Sequence, residues 1–289
     1  EYPELDCRRV DLPLGCSAAH APALLAEMLR GGSDEDEVAL RDTGRYVARM
    51  VRAQPSSRGP GGELPALRPD VAYLITGGLG GLGLTSARLL VERGARHLVL
   101  LARGAPSVAA ESALSALRAR GARVDVAQVD VADRTALAAR LDELSGHGVR
   151  IGGVLHAAGV LDDGVLVQQS RRRMLDVASG KALGALHLHA LLSPQSLQFF
   201  VLFSSVATLL GSPGQGNYCA ANALLDGLAR HRAAAGLPAQ SLAWGPWSEV
   251  GLAAQQDRGA RLATQGLASL TPQEGAAALS TWLGDPRPY

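Results

Sequence analysis

The chain has little cysteine. Cys7, Cys16 and Cys219 are its only three, and no two form a CxxC pair. So sparse and odd a set builds no disulfide framework and fits a reducing, cytoplasmic compartment. Aromatic residues are scarce at 4%, which disfavours an aromatic-rich β-sandwich. Neither sign of charge dominates: 28 Lys and Arg oppose 27 Asp and Glu, a net charge of +1. No field therefore favours nucleic acid or an anionic membrane surface. Long hydrophobic runs are missing too. The apolar stretches are strand-length or broken by Gly and charge, so neither a membrane span nor a signal peptide is expected, and the first residues read as the interior of a longer chain. No metal site is expected. His187 and His189 are two apart on a predicted helix and leave it on different faces, and Cys7 and Cys16 have no plausible partner ligands.

Small and apolar residues are abundant: 34 Gly and 47% hydrophobic residues in a chain of 289. Residues 1–52 carry two weak strand signals, Arg8–Leu12 and Glu37–Arg41, around a short helix near Ala21–Leu29. The acidic run from Ser33 to Glu37 reads as a solvated turn. Residues 53–70 are rich in Pro, Gly and Ser and read as a linker. The piece before them is too short to bury much core, so it is expected to pack on the domain beyond the linker. From residue 71 strands and helices alternate. Strand-length apolar runs occur at Val71–Thr76, His97–Ala102, Val124–Val129, Gly153–His156, Gln198–Ser204 and Ser241–Trp244. Helical patterns lie between and after them at Leu84–Arg93, Ala109–Arg120, Arg134–Leu144, Arg172–Leu192 and Tyr218–Ala234. Continuous Val/Leu runs separated by amphipathic helices predict an α/β, Rossmann-like doubly wound parallel sheet, with its ligand at the carboxyl ends of the strands.

The first of these strands runs into Thr76-Gly77-Gly78-Leu79-Gly80-Gly81-Leu82-Gly83, which contains Gly78-x-Gly80-x-x-Gly83. In a strand–turn–helix context, such glycines let backbone N–H groups approach a pyrophosphate at a helix N-terminus. The bland alternative is a Gly-rich turn without a ligand. The second strand ends at Arg103, where an NAD site would place a carboxylate for the ribose 2′-hydroxyl. A guanidinium suits a 2′-phosphate and so favours NADPH, although a solvated surface Arg is the other possibility. Asp130, followed by Val131, ends the third strand. It can meet an adenine amino group or, with Asp133, cap the next helix.

Ser204 and Ser205 end the fifth strand. Tyr218 opens the following helix, Asn222 lies one turn on, and Lys181 sits on the helix before. These residues resemble the short-chain dehydrogenase/reductase superfamily. Most members place Lys four residues after the Tyr and Asn on the earlier helix; here the two are exchanged, as in the ketoreductases of modular polyketide synthases. The resemblance extends to His156-Ala157-Ala158-Gly159 beside the cofactor, to Phe203–Ala207, to Gly214–Tyr218 and to Ala221–Ala223. Trp244-Gly245-Pro246-Trp247 is similar to the start of the loop that closes over nicotinamide. Residues 71–289 would be the catalytic domain, and residues 1–52 the C-terminal part of a structural subdomain.

The resemblance implies reduction of a β-ketoacyl group carried on the phosphopantetheine arm of an acyl carrier protein, beside other polyketide synthase domains. Tyr218 would be the proton donor and Ser205 the carbonyl-orienting hydroxyl, because 13 residues separate them. Lys181 would favour the phenolate, and Asn222 would hold a water or backbone group. Leu161-Asp162-Asp163 matches the element that marks B-type members, and Leu210 stands where A-type members carry Trp. The implied product is the D-β-hydroxyacyl group. Pro213 occurs in some epimerising members, but Ala220 stands where their second Pro is expected, which leans against epimerisation. A silent NADPH-binding scaffold and a free-standing carbonyl reductase are the competing readings.

Overall fold

The computed structural model describes residues 3–5, 7–30, 35–52, 66–192, 195–252 and 266–283. The chain divides into two compact units, Glu1–Gln54 and Pro55–Tyr289.

The first unit contains a three-stranded sheet. Strand β1 (Arg9–Asp11) runs parallel to β2 (Glu37–Arg41), which pairs antiparallel with β3 (Gly44–Val47). Helix α1 (Ala21–Met28) lies between β1 and β2 in sequence. It carries Glu27, a buried carboxylate held by Arg45 at 2.7 and 3.0 Å. Two expectations change here. The short, largely exposed strand β3 had no apolar alternation to announce it. The acidic run is not simply a solvated turn: Glu37 begins β2 and Arg9 lies 3.1 Å from it, while Arg49 pairs with Glu35. Residues 33 and 34 of that run lie outside the described residues.

In the second unit, β4 (Ala72–Thr76), β5 (His97–Ala102), β6 (Arg123–Gln128), β7 (Ile151–His156), β8 (Phe199–Ser205) and β9 (Gln240–Trp244) form one sheet in the order β6-β5-β4-β7-β8-β9. Every pairing is parallel. The order reverses between β4 and β7, so a crevice opens at the carboxyl ends of those two strands. Helices α2 (Gly81–Glu92), α3 (Val108–Ala119) and α4 (Arg134–Gly146) follow β4, β5 and β6.

The strands are apolar on both faces because both are covered. Alternation sends Tyr73 and Ile75 of β4 into one core with Leu90, Leu114 and Phe203. It sends Ala72 and Leu74 into the other, with Leu137, Leu188 and Leu225.

Within the expected linker, residues 53–65 lie outside the described residues. The remainder is built into the second unit: Leu67 joins its core, and the Arg68 N–H donates to the Tyr73 hydroxyl at 2.6 Å. The single helix expected over 172–192 is three pieces: α5 (Arg171–Ala178), a π-helical turn (Ser179–Leu183) and α6 (Gly184–Leu192). Gly180, a poor helix former, sits in the widened turn, and such turns occur mostly as single insertions within longer helices. Beyond β8 come α7 (Ala207–Leu210) and α8 (Gly216–Ala234), and beyond β9 comes α9 (Pro272–Trp282). A capping box between Thr271 and Glu274, with Pro at the first helical position, starts α9. Among the described residues no helix is long and apolar enough to cross a membrane.

Candidate active site

A cavity of about 400 Å³ opens at the carboxyl end of the large sheet. Its floor is the turn between β4 and α2. Gly77 has a φ of 62°, and a Cβ there would stand 2.8 Å from the Ala157 carbonyl oxygen. Gly83 is closed in by the Gly77 carbonyl. The backbone therefore approaches the crevice without side chains in the way, as a bound diphosphate requires. Gly80, Gly81, Leu82 and Gly83 line the cavity as the motif predicts. Gly78 and Leu79 do not. Gly78 packs on Leu100 and Leu79 on the adjoining core. The motif's spacing pointed to Gly78, and the positive φ belongs to Gly77, which borders the cavity in its place.

Exposed Arg103 and the pair Asp130 and Val131 line the same cavity. The Asp130 carboxylate accepts from the Ala132 N–H at 2.9 Å, whereas Asp133 is the residue that caps α4. Ala157, Ala158 and Gly159 form the wall after β7, and Gly245 and Pro246 the wall after β9. The Leu270 N–H donates to the Pro246 carbonyl at 2.8 Å, and the Trp247 ring stacks edge-on against Trp244 at 5.2 Å. Residues 253–265, which come after this wall, lie outside the described residues.

Thr76 and His156 stand behind the cavity. They are paired in register across β4 and β7 and are fully buried. His156 Nε2 lies 2.7 Å from the Lys181 carbonyl oxygen. A carbonyl only accepts, so Nε2 carries the hydrogen, and Nδ1 accepts from the Thr76 hydroxyl at 2.7 Å. The Thr76 oxygen in turn accepts from the Ala158 N–H at 3.3 Å. Burial lowers the His156 pKa to about 4, with the neighbouring Lys181 charge acting the same way.

Lys181 sits in the π turn. Its ammonium donates to the Phe203 carbonyl at 2.7 Å and lies 5.5 Å from the centre of the Tyr218 ring. Burial lowers its pKa to about 8, opposed by Asp226. Tyr218 and Ser205 line the cavity with it. Burial raises the Tyr218 pKa above the ordinary phenol value, opposed by hydrogen bonding from Asn222 and Ser205. The expected lowering of this phenol by a nearby ammonium is therefore outweighed by desolvation. Asn222 lies behind the wall. Its Nδ2 donates to the Tyr218 carbonyl at 2.8 Å, and its buried Oδ1 has no protein partner. Both serines border the cavity, and the Ser204 hydroxyl donates to the Asn222 carbonyl at 3.5 Å. Of the two, only Ser205 adds to the hydrogen bonding at Tyr218.

Of the acidic element, Leu161 touches the cavity, whereas Asp162 and Asp163 do not. Asp162 is bound by Arg173 of α5 at 2.6 and 2.9 Å, and Asp163 by Gln215 at 3.1 Å. Gln215 lies in the Gly214–Tyr218 segment that carries the resemblance, whereas no sequence signal marks Arg173. Cys219 is half-buried against the Ala207 carbonyl, and burial pushes its thiol up, so it is a packed residue. Among the described residues no group of three or more His, Cys, Asp or Glu is placed to hold a metal.

Residues 71–249 match the family model described as the KR domain. The chain belongs to this family. As a KR domain of the short-chain dehydrogenase/reductase superfamily, it is closely related to the ketoreductase domains of type I polyketide synthases. It is 42% identical over 247 residues to polyketide synthase GfsB of Streptomyces halstedii, covering 85% of this chain and 4% of that protein. Among solved structures, an A1-type ketoreductase matches with a TM-score of 0.87 at 38% identity, over 96% of this chain and 58% of that one. The ketoreductase from the first module of phoslactomycin biosynthesis in Streptomyces sp. HK803 also gives 0.87, at 35% identity over 96% and 63%. This KR domain thus spans a small part of the synthase and under two thirds of each solved chain.

The buried imidazole generates a pH prediction. Below pH 6.5 an unfolded His156 takes up a proton that the folded one refuses down to about pH 4. Its contribution to stability is complete above pH 6.5 and is lost as pH falls toward 4, by roughly 3 kcal/mol in all. Chemical denaturation at pH 7 and pH 4.5 should show a larger acid loss in the parent than in His156→Asn. Equal losses would mean that His156 is not held neutral.

Proposed function

We propose that this domain reduces the β-ketone of an acyl chain carried on the phosphopantetheine arm of an acyl carrier protein, giving a D-β-hydroxyl. One observation carries this reading: Tyr218, Ser205 and Lys181 converge at the cavity edge beside a glycine turn that leaves room for a diphosphate. The donor set fits NADPH, with the Gly77–Gly83 turn at the diphosphate, Arg103 at a 2′-phosphate and the walls after β7 and β9 around the remainder. NADPH, when bound, supplies the hydride.

The rest falls to this chain's own side chains. Reducing a ketone places a hydride on carbon and a proton on oxygen. Ser205 donates a hydrogen bond to the carbonyl oxygen and orients it. Tyr218 gives its phenolic proton to that oxygen as negative charge develops. An alkoxide is far more basic than a phenolate, so a phenol held above its ordinary pKa still donates downhill. Lys181, fixed by the Phe203 carbonyl, places positive charge beside the phenolate left behind. Asn222, through its unpartnered Oδ1, holds the water that returns a proton.

The hand of the product rests on Leu161-Asp162-Asp163 and on Leu210 at the Trp position. The A1-type neighbour argues for the fold and not for the hand. Acyl carrier protein and the other synthase domains are the partners this reading requires.

A diketide β-ketoacyl thioester incubated with NADPH and resolved by chiral chromatography tests the reading. Mainly D-hydroxyl product is expected, mainly L-product would overturn the B-type reading, and no product would overturn the activity. Tyr218→Phe should lower turnover by about a hundredfold or more while leaving NADPH affinity near the parent value. Parental turnover in this variant would remove Tyr218 from the chemistry.

A further inference from the structure

The acidic element poses a geometric question, because only Leu161 reaches the cavity. Asp162 and Asp163 act behind the wall. Arg173 is the third residue of α5, and its N–H is accepted by the Ser170 side chain that caps the helix. Its guanidinium forks onto the Asp162 carboxylate at 2.6 and 2.9 Å. The same group donates to the carbonyls of Asp163 at 2.6 Å, Gln168 at 3.2 Å and Asp162 at 3.4 Å. One cation thus collects a carboxylate and three carbonyls from residues 162–168. Gly164 makes room for it, since a Cβ there would collide with the guanidinium.

The other side of the loop is tied to the helix bearing Tyr218. The Asn217 Nδ2 donates to the Asp162 carbonyl at 2.8 Å, and its Oδ1 accepts from the Tyr218 N–H at 2.8 Å. The Gly164 N–H donates to the Gly214 carbonyl at 2.7 Å. Residues 162–164 are thus held by Arg173 on one side and by Asn217 and Gly214 on the other.

We propose that Arg173 is a positioning residue that holds Asp162 and Asp163 behind the wall, so fixing Leu161 in it and thereby the face of the ketone presented for reduction. The inference rests on the reading of that element as the substrate-directing wall. A planar fork with several donors is what the arrangement uses, and a lysine at this position keeps the charge without the fork.

The test uses the full chain with Arg173→Ala and Arg173→Lys, the diketide thioester and NADPH. The ratio of the two hydroxyl products, kcat, KM and NADPH affinity are measured. In Arg173→Ala the ratio should fall by about tenfold or more, with KM for the thioester raised and NADPH affinity unchanged. Arg173→Lys should fall between parent and Ala; if the Ala variant loses NADPH binding through misfolding, the Lys variant decides. A parental ratio in a variant that binds NADPH normally overturns the proposal. An L-product from the parent would defeat the assignment of hand alone, because Arg173 is judged by the change in ratio. No reduction by the parent would overturn both.

Discussion

One hydrogen-bond chain crosses the point where the strand order reverses: the Ala158 N–H to Thr76, the Thr76 hydroxyl to His156, and the His156 Nε2–H to the Lys181 carbonyl. It joins the ends of β4 and β7 to the π turn. The turn places Lys181 where its ammonium reaches the Phe203 carbonyl at the end of β8. Three strands and one helix are thereby locked around the cavity. Burial keeps the imidazole neutral, because taking a charge out of water is costlier than leaving the ring neutral, and the neutral ring accepts at Nδ1 and donates at Nε2.

The same burial sets the chemistry. Desolvation acts on Lys181 and Tyr218 together, drawing the ammonium's pKa down and the phenol's up. Both groups are driven toward their neutral forms before substrate arrives. On the proposed function, negative charge appearing on a substrate oxygen would reverse the balance, because it would make a proton transfer from Tyr218 favourable and an ammonium beside the product phenolate worth keeping. A site of this kind is poised by the burial of its titratable groups rather than by a standing ion pair.

Much of this was legible in the sequence. The six parallel strands and the glycine turn emerge from apolar runs and glycine spacing, whereas the Tyr218, Ser205 and Lys181 set comes from the family resemblance. Local backbone events were harder to read. Gly77 and Gly78 are adjacent, and only three-dimensional closure shows which takes the positive φ. The π turn has no periodic signature in a helix that otherwise keeps its pattern. Strand β3 is exposed and short, and α9 was not anticipated, although its Thr271–Glu274 capping box is a helix-start signal. Arg173 lies in a run of three arginines, and nothing in the run distinguishes the one that turns inward. The basic residues carry one further signal. Lys181 is the chain's only lysine, every other basic side chain but histidine being arginine. Arginine stays charged when buried, whereas lysine can titrate, so a lone lysine among arginines marks a place where that difference matters.

The lone lysine also allows the most direct measurement. Protein labelled with carbon-13 and nitrogen-15 only in lysine gives one side-chain signal, whose pH titration reads the buried ammonium without assignment. The account predicts a midpoint of about 8 in the cofactor-free domain. A midpoint near the ordinary lysine value of about 10.4 would show Lys181 solvated and would contradict a site built around a buried amine.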